Sequence, residues 1–268
     1  MGKEWRFILD GRCSGYYNMA VDEALFCSYN QYKIPTLRIY SWARPFITLG
    51  YKQNVADVLK NNKIPFVRRI TGGSALLHTS WELTYSLVFS TLDLKLSSSV
   101  KDSYKYICKF IINFYSQLNL KADFAKDLFK SNLDTLTNFC LSSFSEYDII
   151  INGKKIGGNA QKRSKNLILQ QGIIPLKIDF ELIRSTIKDV DNLADKITYL
   201  GAYLKADYLN LALLFAKSFS QTFKVELVKD KLDEAEMELT KKLINQKYLD
   251  NNWNFYRNFV YEETPLVK

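Results

Sequence analysis

Eleven residues constrain this chain more than any others: Arg68-Arg69-Ile70-Thr71-Gly72-Gly73-Ser74-Ala75-Leu76-Leu77-His78. A strand-like run over residues 64–67 leads into them, and another over 82–90 leads out. A Gly-Gly pair between two strands turns the chain. It also lets backbone approach a ligand closely, because no side chain stands in the way. Two arginines beside it suit an anionic or carbonyl-bearing ligand. The one histidine of the chain closes the segment. A tight β-turn with solvated arginines would show the same pattern, so turn chemistry alone leaves both readings open.

Around this loop the pattern alternates between strand and helix. Strands are expected over 4–9, 36–42, 46–50, 64–70 and 82–90, the last alternating as if half-buried. A helix is expected from Asn18 to about residue 29, with Asn18 as its cap and Asp22 and Glu23 in its dipole-favoured first turn. A short helix follows over 53–61. Residues 103–118 form an apolar helix, with Tyr104, Ile107, Ile111 and Phe114 at core spacing. Residues 91–99 and 125–145 read as loops, the second carrying Cys140. Asn152-Gly153 is a type I′ hairpin turn between strands at 146–152 and 154–156. A strand over 167–176 precedes helices at 180–187, 191–200 and 208–222. A short strand at 224–227 and an amphipathic helix at 230–251 follow. This is an α+β pattern around a mixed, largely antiparallel sheet flanked by helices. Residues 1–222 are expected to form one domain, and 223–268 to pack on it as a strand and helix, not as an independent domain.

Composition excludes several classes. A hydrophobic fraction of 47% and an aromatic fraction of 14% belong to a globular chain, not a disordered one. No apolar run approaches the ~20 residues needed to span a bilayer. Charges interrupt the N-terminal segment, so no signal peptide and a cytoplasmic location are expected. Cys13, Cys27, Cys108 and Cys140 form no C-x-x-C pair, and with a single histidine no metal site is expected. Cys27 and Cys108 fall in apolar helical contexts and read as buried reduced thiols. The net charge is +9, but the lysines are scattered and form no nucleic-acid arm. An acidic protein partner and simple solubility both fit that charge.

Four stretches, in order, resemble one family. They are Trp5-Arg6-Phe7-Ile8 with Asn18-Met19-Ala20-Val21-Asp22-Glu23-Ala24-Leu25; the glycine loop with Glu82-Leu83-Thr84-Tyr85-Ser86; Gly153-Lys154-Lys155-Ile156-Gly157-Gly158-Asn159-Ala160-Gln161; and Lys247-Tyr248 with Asn252-Trp253-Asn254. They are similar to W-R-x-I…N-M-A-x-D-E-A-L, R-R-x-[ST]-G-G-x-A-V-x-H, G-[RK]-K-[IV]-A-G-S-A-Q and K-Y…W-N of the lipoate–protein ligase and octanoyltransferase superfamily. The resemblance implies the biotinyl/lipoyl-transferase fold, related to class II aminoacyl-tRNA synthetase catalytic domains.

In the cysteine-dependent branch of that family, a nucleophilic cysteine precedes a P-S-x-Y-E strand start leading into G-[RK]-K. Cys140 stands at that spacing from Tyr147 and Lys155, with Phe144 in place of the proline and Asp148 in place of the glutamate. The resemblance therefore implies a dyad. Cys140 is the nucleophile, and Lys155 favours its thiolate and then relays a proton. His78 is the rival base, although Thr79 follows it where the family usually has Asp. Arg68, Arg69, Gly72, Gly73, Ser74, Ala75 and His78 would bind substrate along one wall, and Gly157, Gly158, Asn159 and Ala160 along the other.

The implied activity moves octanoyl from acyl carrier protein, through the Cys140 thioester, to a lysine of a lipoyl domain or glycine cleavage H protein. It requires no cofactor, nucleic acid or membrane. An ATP-dependent lipoate–protein ligase using ATP and Mg, an amidotransferase between carrier proteins, and a non-catalytic basic binding protein are the alternatives. Ser74 stands where transferases often have Arg, Gln171 where L-Q-H-G has His, and Asn159 where Ser is usual, which leaves donor and acyl group open. Lys162, Arg163 and Lys165 read as a solvated basic edge that could dock an acidic carrier.

Overall fold

The computed structural model describes residues 3–97, 99–128, 139–142, 145–190 and 192–259. Phe144 and most of the expected loop over 125–145 lie outside these residues. The strands are β1 (Lys3–Cys13), β2 (Thr36–Trp42), β3 (Phe46–Leu49), β4 (Phe66–Arg68), β5 (Leu76–His78), β6 (Glu82–Ser90), β7 (Asp123–Phe124), β8 (Ile149–Ile151), β9 (Lys154–Lys155), β10 (Gly158–Ser164), β11 (Leu167–Pro175) and β12 (Val225–Lys229). The helices are α1 (Gly15–Tyr32), α2 (Val55–Val58), α3 (Val100–Gln117), α4 (Ala125–Leu128), α5 (Phe180–Thr186), α6 (Leu193–Lys196), α7 (Tyr208–Phe223), α8 (Glu234–Leu243) and α9 (Asn251–Tyr256).

The fold is α+β. Its main sheet is mixed, in the order β10-β11-β6-β2-β1-β12. The inner pairs β2–β6 and β6–β11 are antiparallel, whereas β1 lies parallel to both β2 and β12. Two small sheets, β4-β3-β5 and β7-β8-β9, stand beside it. One core, around Phe110, Phe114, Phe215 and Phe219, packs α3 and α7 on the sheet. A second, around Met19, Tyr40, Trp42 and Trp253, includes α1 and the C-terminal helices. A third fills the space between the small sheet at β3 and the segment carrying Cys140.

Burial on both faces corrects one expectation. All nine residues of β6 are buried, although their alternation suggested one wet face. The polar alternates meet partners instead of water: Glu82 meets His78, Thr84 meets Trp42 and Ser86 meets Asp22. The start of α1 is a second correction. Ser14, not Asn18, caps the helix, its side chain accepting from the Tyr17 N–H. Asp22 and Glu23 therefore lie beyond the first turn. Both are buried, Asp22 against Arg38 and Glu23 against Lys247.

The expected helix over 230–251 is broken. After α8 the chain widens into a π-turn, Ile244–Tyr248, which carries Lys247 and Tyr248 inward to Glu23. The helix expected over 191–200 is also shorter. Its chain turns extended at Ile197, which bridges to Lys155. Asn152 and Gly153 both take positive φ, 51° and 77°, as a type I′ hairpin demands. β10, a polar edge strand, was missed because its sequence lacks the apolar alternation of a half-buried strand.

Candidate active site

Two adjacent arginines leave β4 in different directions. Arg68 is fully buried, and its guanidinium donates to the carbonyl oxygens of Gly50, Tyr51 and Gln53 on one side and Trp253, Asn254 and Phe255 on the other. The Trp253 indole N–H donates back to the Arg68 carbonyl at 2.8 Å. Arg68 thus fastens the C-terminal helix α9 to the root of the glycine loop. Burial pulls its pKa down to about 10, and nearby Arg257 adds to the shift. It remains a cation at neutral pH.

Arg69 turns inward. Its Nε donates to Thr71 Oγ1 at 3.1 Å, Nη1 to the Thr48 carbonyl and hydroxyl oxygens at 3.2 and 3.1 Å, and Nη2 to the carbonyls of Gly72 and Ser74 at 2.7 and 2.8 Å. These bonds wrap the loop around the guanidinium. Gly73 takes φ of +82°, and a Cβ on Gly50 would fall 1.7 Å from the Gly73 oxygen. Glycine is required at both positions for the loop to close.

Behind Arg69 the bonding continues into the sheet. The Thr71 hydroxyl donates to Gln171 Oε1 at 2.7 Å, and Gln171 Nε2 donates to Asp22 at 2.6 Å. Asp22 also accepts from Arg38, Tyr40 and Ser86. On another side, Thr48 Oγ1 lies 2.8 Å from His78 Nε2, and His78 Nδ1 lies 2.6 Å from Glu82. The imidazole stacks on Trp42 at 3.9 Å. His78 is thus held on both nitrogens and on one face.

Cys140 begins a 3-10 turn, Cys140–Ser142, laid along the glycine loop. Its N–H donates to the Ala75 carbonyl at 2.9 Å. Lys155 Nζ donates to the Cys140 carbonyl at 2.7 Å and to Asp148 Oδ2 at 2.7 Å. The Ser145 N–H donates to that same Asp148 oxygen at 2.7 Å. Burial lowers the Lys155 pKa, but the negative charges of an ionised Cys140 and of Asp148 outweigh it and raise the value above the ordinary lysine range. The thiol lies on Gly158, where an added Cβ would come within 2.9 Å of the sulfur. Next to it, Asn159 accepts from the Tyr85 hydroxyl at 2.7 Å, and its carbonyl accepts from Tyr104 at 3.2 Å.

These walls line a narrow pocket that is partly open to solvent. Of the residues expected to catalyse or bind substrate, Arg69, His78, Cys140, Gly158, Asn159 and Ala160 line it. Lys155 reaches the site through the Cys140 carbonyl. Arg68 is spent on the C-terminal clamp. Gly72, Gly73, Ser74 and Ala75 shape the loop behind Arg69, and Gly157 packs against the Ile173 carbonyl. Met19, Tyr40, Trp42 and Ile173 supply the apolar side. Among the described residues no three His, Cys, Asp or Glu side chains gather so as to hold a metal ion.

The family described as Lipoyl protein ligase A/B catalytic domain matches residues 14–231. This chain belongs to that family. The octanoyltransferase LipM of Bacillus cereus is 33% identical over 285 residues, covering 95% of this chain and 99% of the relative. The LipM of Clostridioides difficile is 31% identical over 270 residues, covering 94% and 98%. Among solved structures, lipoate-protein ligase A bound with ATP aligns with a TM-score of 0.79 at 22% identity, covering 94% of this chain and 98% of its own. The bi-partite lipoate protein ligase of Thermoplasma acidophilum aligns equally well, with a TM-score of 0.79 at 21% identity, covering 97% and 100%. The catalytic fold is therefore that of the lipoate–protein ligases.

Within the family fold, several residues of the site carried little signal in the sequence. Asp148 showed only as a variant of a motif position, and its pairing with Lys155 needed the hairpin to close. Thr48 carried no signal beyond strand propensity, and Thr71 showed only as the [ST] position of the glycine-loop motif. Gln171 stood out as a departure from His, and its place between Asp22 and Thr71 became visible only once β11 lay beside β6.

Proposed function

We propose that this acyltransferase carries octanoyl from acyl carrier protein, through a thioester on Cys140, to a lysine amine of a lipoyl domain or glycine cleavage H protein. The observation that carries the reading is the Cys140–Lys155–Asp148 array, with Cys140 on the wall of a largely apolar pocket and the other two bonded behind it. Octanoyl transfer is the activity for which the curated relatives, matched over nearly their whole length, are named.

The two half-reactions follow from that array. The Cys140 thiolate attacks the carrier thioester, and the carrier sulfur leaves as a thiolate. Lys155 reaches this step as an ammonium, since its pKa is raised, and protonates the leaving sulfur. It is then an amine beside the octanoyl thioester. The acceptor lysine enters as a neutral amine and attacks, an amide forms, and Cys140 leaves as a thiolate. The proton lost from the new amide nitrogen returns to Lys155, and the site is reset. Asp148 holds the Lys155 nitrogen in place through both transfers.

Because the thioester arrives activated, this route needs neither nucleotide nor metal. ATP and Mg would be needed only to activate a free acid. A cytoplasmic location is part of the same proposal. Separately, no helix among the described residues is long and apolar enough to cross a membrane.

The test is the intact mass of the protein after incubation with octanoyl–acyl carrier protein without ATP. A hydroxylamine-labile octanoyl adduct, absent from Cys140→Ser, is expected. ATP-dependent transfer of free lipoate that survives Cys140→Ser would instead establish a ligase.

A further inference from the structure

Two buried cations approach Cys140, and they are neutralised to different degrees. The ammonium of Lys155 touches the Asp148 carboxylate at 2.7 Å. Arg69 meets only neutral acceptors: two threonine hydroxyls and the carbonyls of Thr48, Gly72 and Ser74. These take all five N–H groups that a guanidinium owns. Among the described residues no carboxylate pairs with it. Asp22 is reached only through Thr71 and Gln171, and Glu82 only through Thr48 and His78. Both are already engaged, Asp22 by Arg38 and Glu82 by His78 and Thr84. Arg69 is only 4% exposed, so water does little to screen it.

We propose that Arg69 is an electrostatic positioning residue. It is a fixed guanidinium on the cavity wall, with no counter-ion among the described residues, and it favours the Cys140 thiolate, while Lys155 serves as the proton carrier. With every N–H committed to the protein, Arg69 acts through its charge and not by hydrogen bonding to substrate. The loop it organises is the one that takes the Cys140 N–H through the Ala75 carbonyl, so guanidinium and thiol are held in one frame. Among the described residues, the charged and titratable groups facing Cys140 are Lys155 and Asp148 from the β8–β9 hairpin, Arg69 from the glycine loop and Tyr104 from α3. His78, with Glu82, and Tyr40 share the cavity or its wall. Burial pulls the Arg69 pKa down to about 10 and the negative charge of an ionised Cys140 draws it back up, so the guanidinium is charged at neutral pH.

This inference rests on Cys140 being the nucleophile, and its test avoids octanoyl altogether. The full chain is alkylated with iodoacetamide between about pH 5 and pH 10, and the addition absent from Cys140→Ser is followed by intact mass. Arg69→Gln is expected to move the pH midpoint of that alkylation up by roughly one unit or more, with Arg69→Lys staying near the wild type. A midpoint unchanged in Arg69→Gln, or shifted alike in both variants, would overturn the proposal. If Arg69→Gln lacks a cooperative thermal transition, Thr71→Asp and Thr71→Asn replace it. These side chains share a size, but only aspartate brings a charge to the guanidinium. A higher midpoint in Thr71→Asp supports the proposal, and equal midpoints overturn it. Octanoyl transfer that survives Cys140→Ser would remove the nucleophile assignment without touching the alkylation result, so the two readings fail separately.

Discussion

Among the described residues, two lysine–carboxylate pairs are buried on both partners, and their surroundings differ. Lys155 and Asp148 meet at 2.7 Å beside the cavity, with the Cys140 carbonyl as a further acceptor. Lys247 and Glu23 meet at 2.7 Å between α1 and the C-terminal π-turn, with the ammonium 4.1 Å over the Trp253 ring and the Tyr248 hydroxyl on the same carboxylate. Burial lowers the pKa of both lysines. At Lys155 the negative charges of Cys140 and Asp148 overcome it, and the value is raised. At Lys247 Glu23 does not, Lys162 opposes it, and the value is lowered. A buried ion pair is thus not a function in itself. The first pair sits where a proton can be used, and the second is sealed among aromatic rings where it joins two parts of the chain.

The largest effect that could break this contrast is on turnover. Lys155→Met is expected to slow octanoyl transfer by about 10²–10⁴, the usual worth of a positioned acid–base group. Lys247→Met should leave the rate per folded molecule within a few-fold, measured below its melting temperature. Equal losses in the two variants would erase the distinction.

Stability sharpens the contrast from the other side. Lys247→Met leaves the charge of Glu23 buried without its ammonium and should cost about 3–5 kcal/mol in urea unfolding. Adding Glu23→Gln should recover most of that loss, because the stranded charge is the expensive part. The smallest effect is in the alkaline pH dependence. Lys155, raised above the ordinary lysine value of 10.5, contributes stability that is fully present below 10.5 and is lost as pH rises through its folded value. Lys247 is lowered, so the unfolded chain holds more protons between its folded value and 10.5. Its cost to stability is present at neutral pH and fades as pH climbs through that window. Unfolding free energies of wild type minus each Met variant, followed from neutral to alkaline pH, should therefore slope in opposite directions.

The strands at β2, β6 and β11 and the apolar helix α3 were legible in the sequence, because each carries its period within itself and is bounded by turn residues. The Asn152-Gly153 hairpin was legible for the same reason. The start of α1 was not, since Ser14 and Asn18 are both good caps and the choice falls to packing: Gly15 lies so tightly on the Phe46 ring that a Cβ would come within 2.4 Å. The break in the last helix was not legible either, because the π-turn sets Lys247 and Tyr248 against Glu23, a residue far away in the chain.

The sequence by itself determined the family, the α+β alternation and the short list from which the site is drawn. Motif spacing and hydrophobic period are local properties that survive without coordinates. Only the tertiary structure decided what each member of the list does. Arg68 and Arg69 are neighbours with the same side chain. One is consumed by carbonyls of the C-terminal helix more than 180 positions away, and the other by the loop at the cavity. A guanidinium is directed by the acceptors that surround it, and those acceptors are brought together by the sheet and the C-terminal helix, not by the residues on either side of it in the chain.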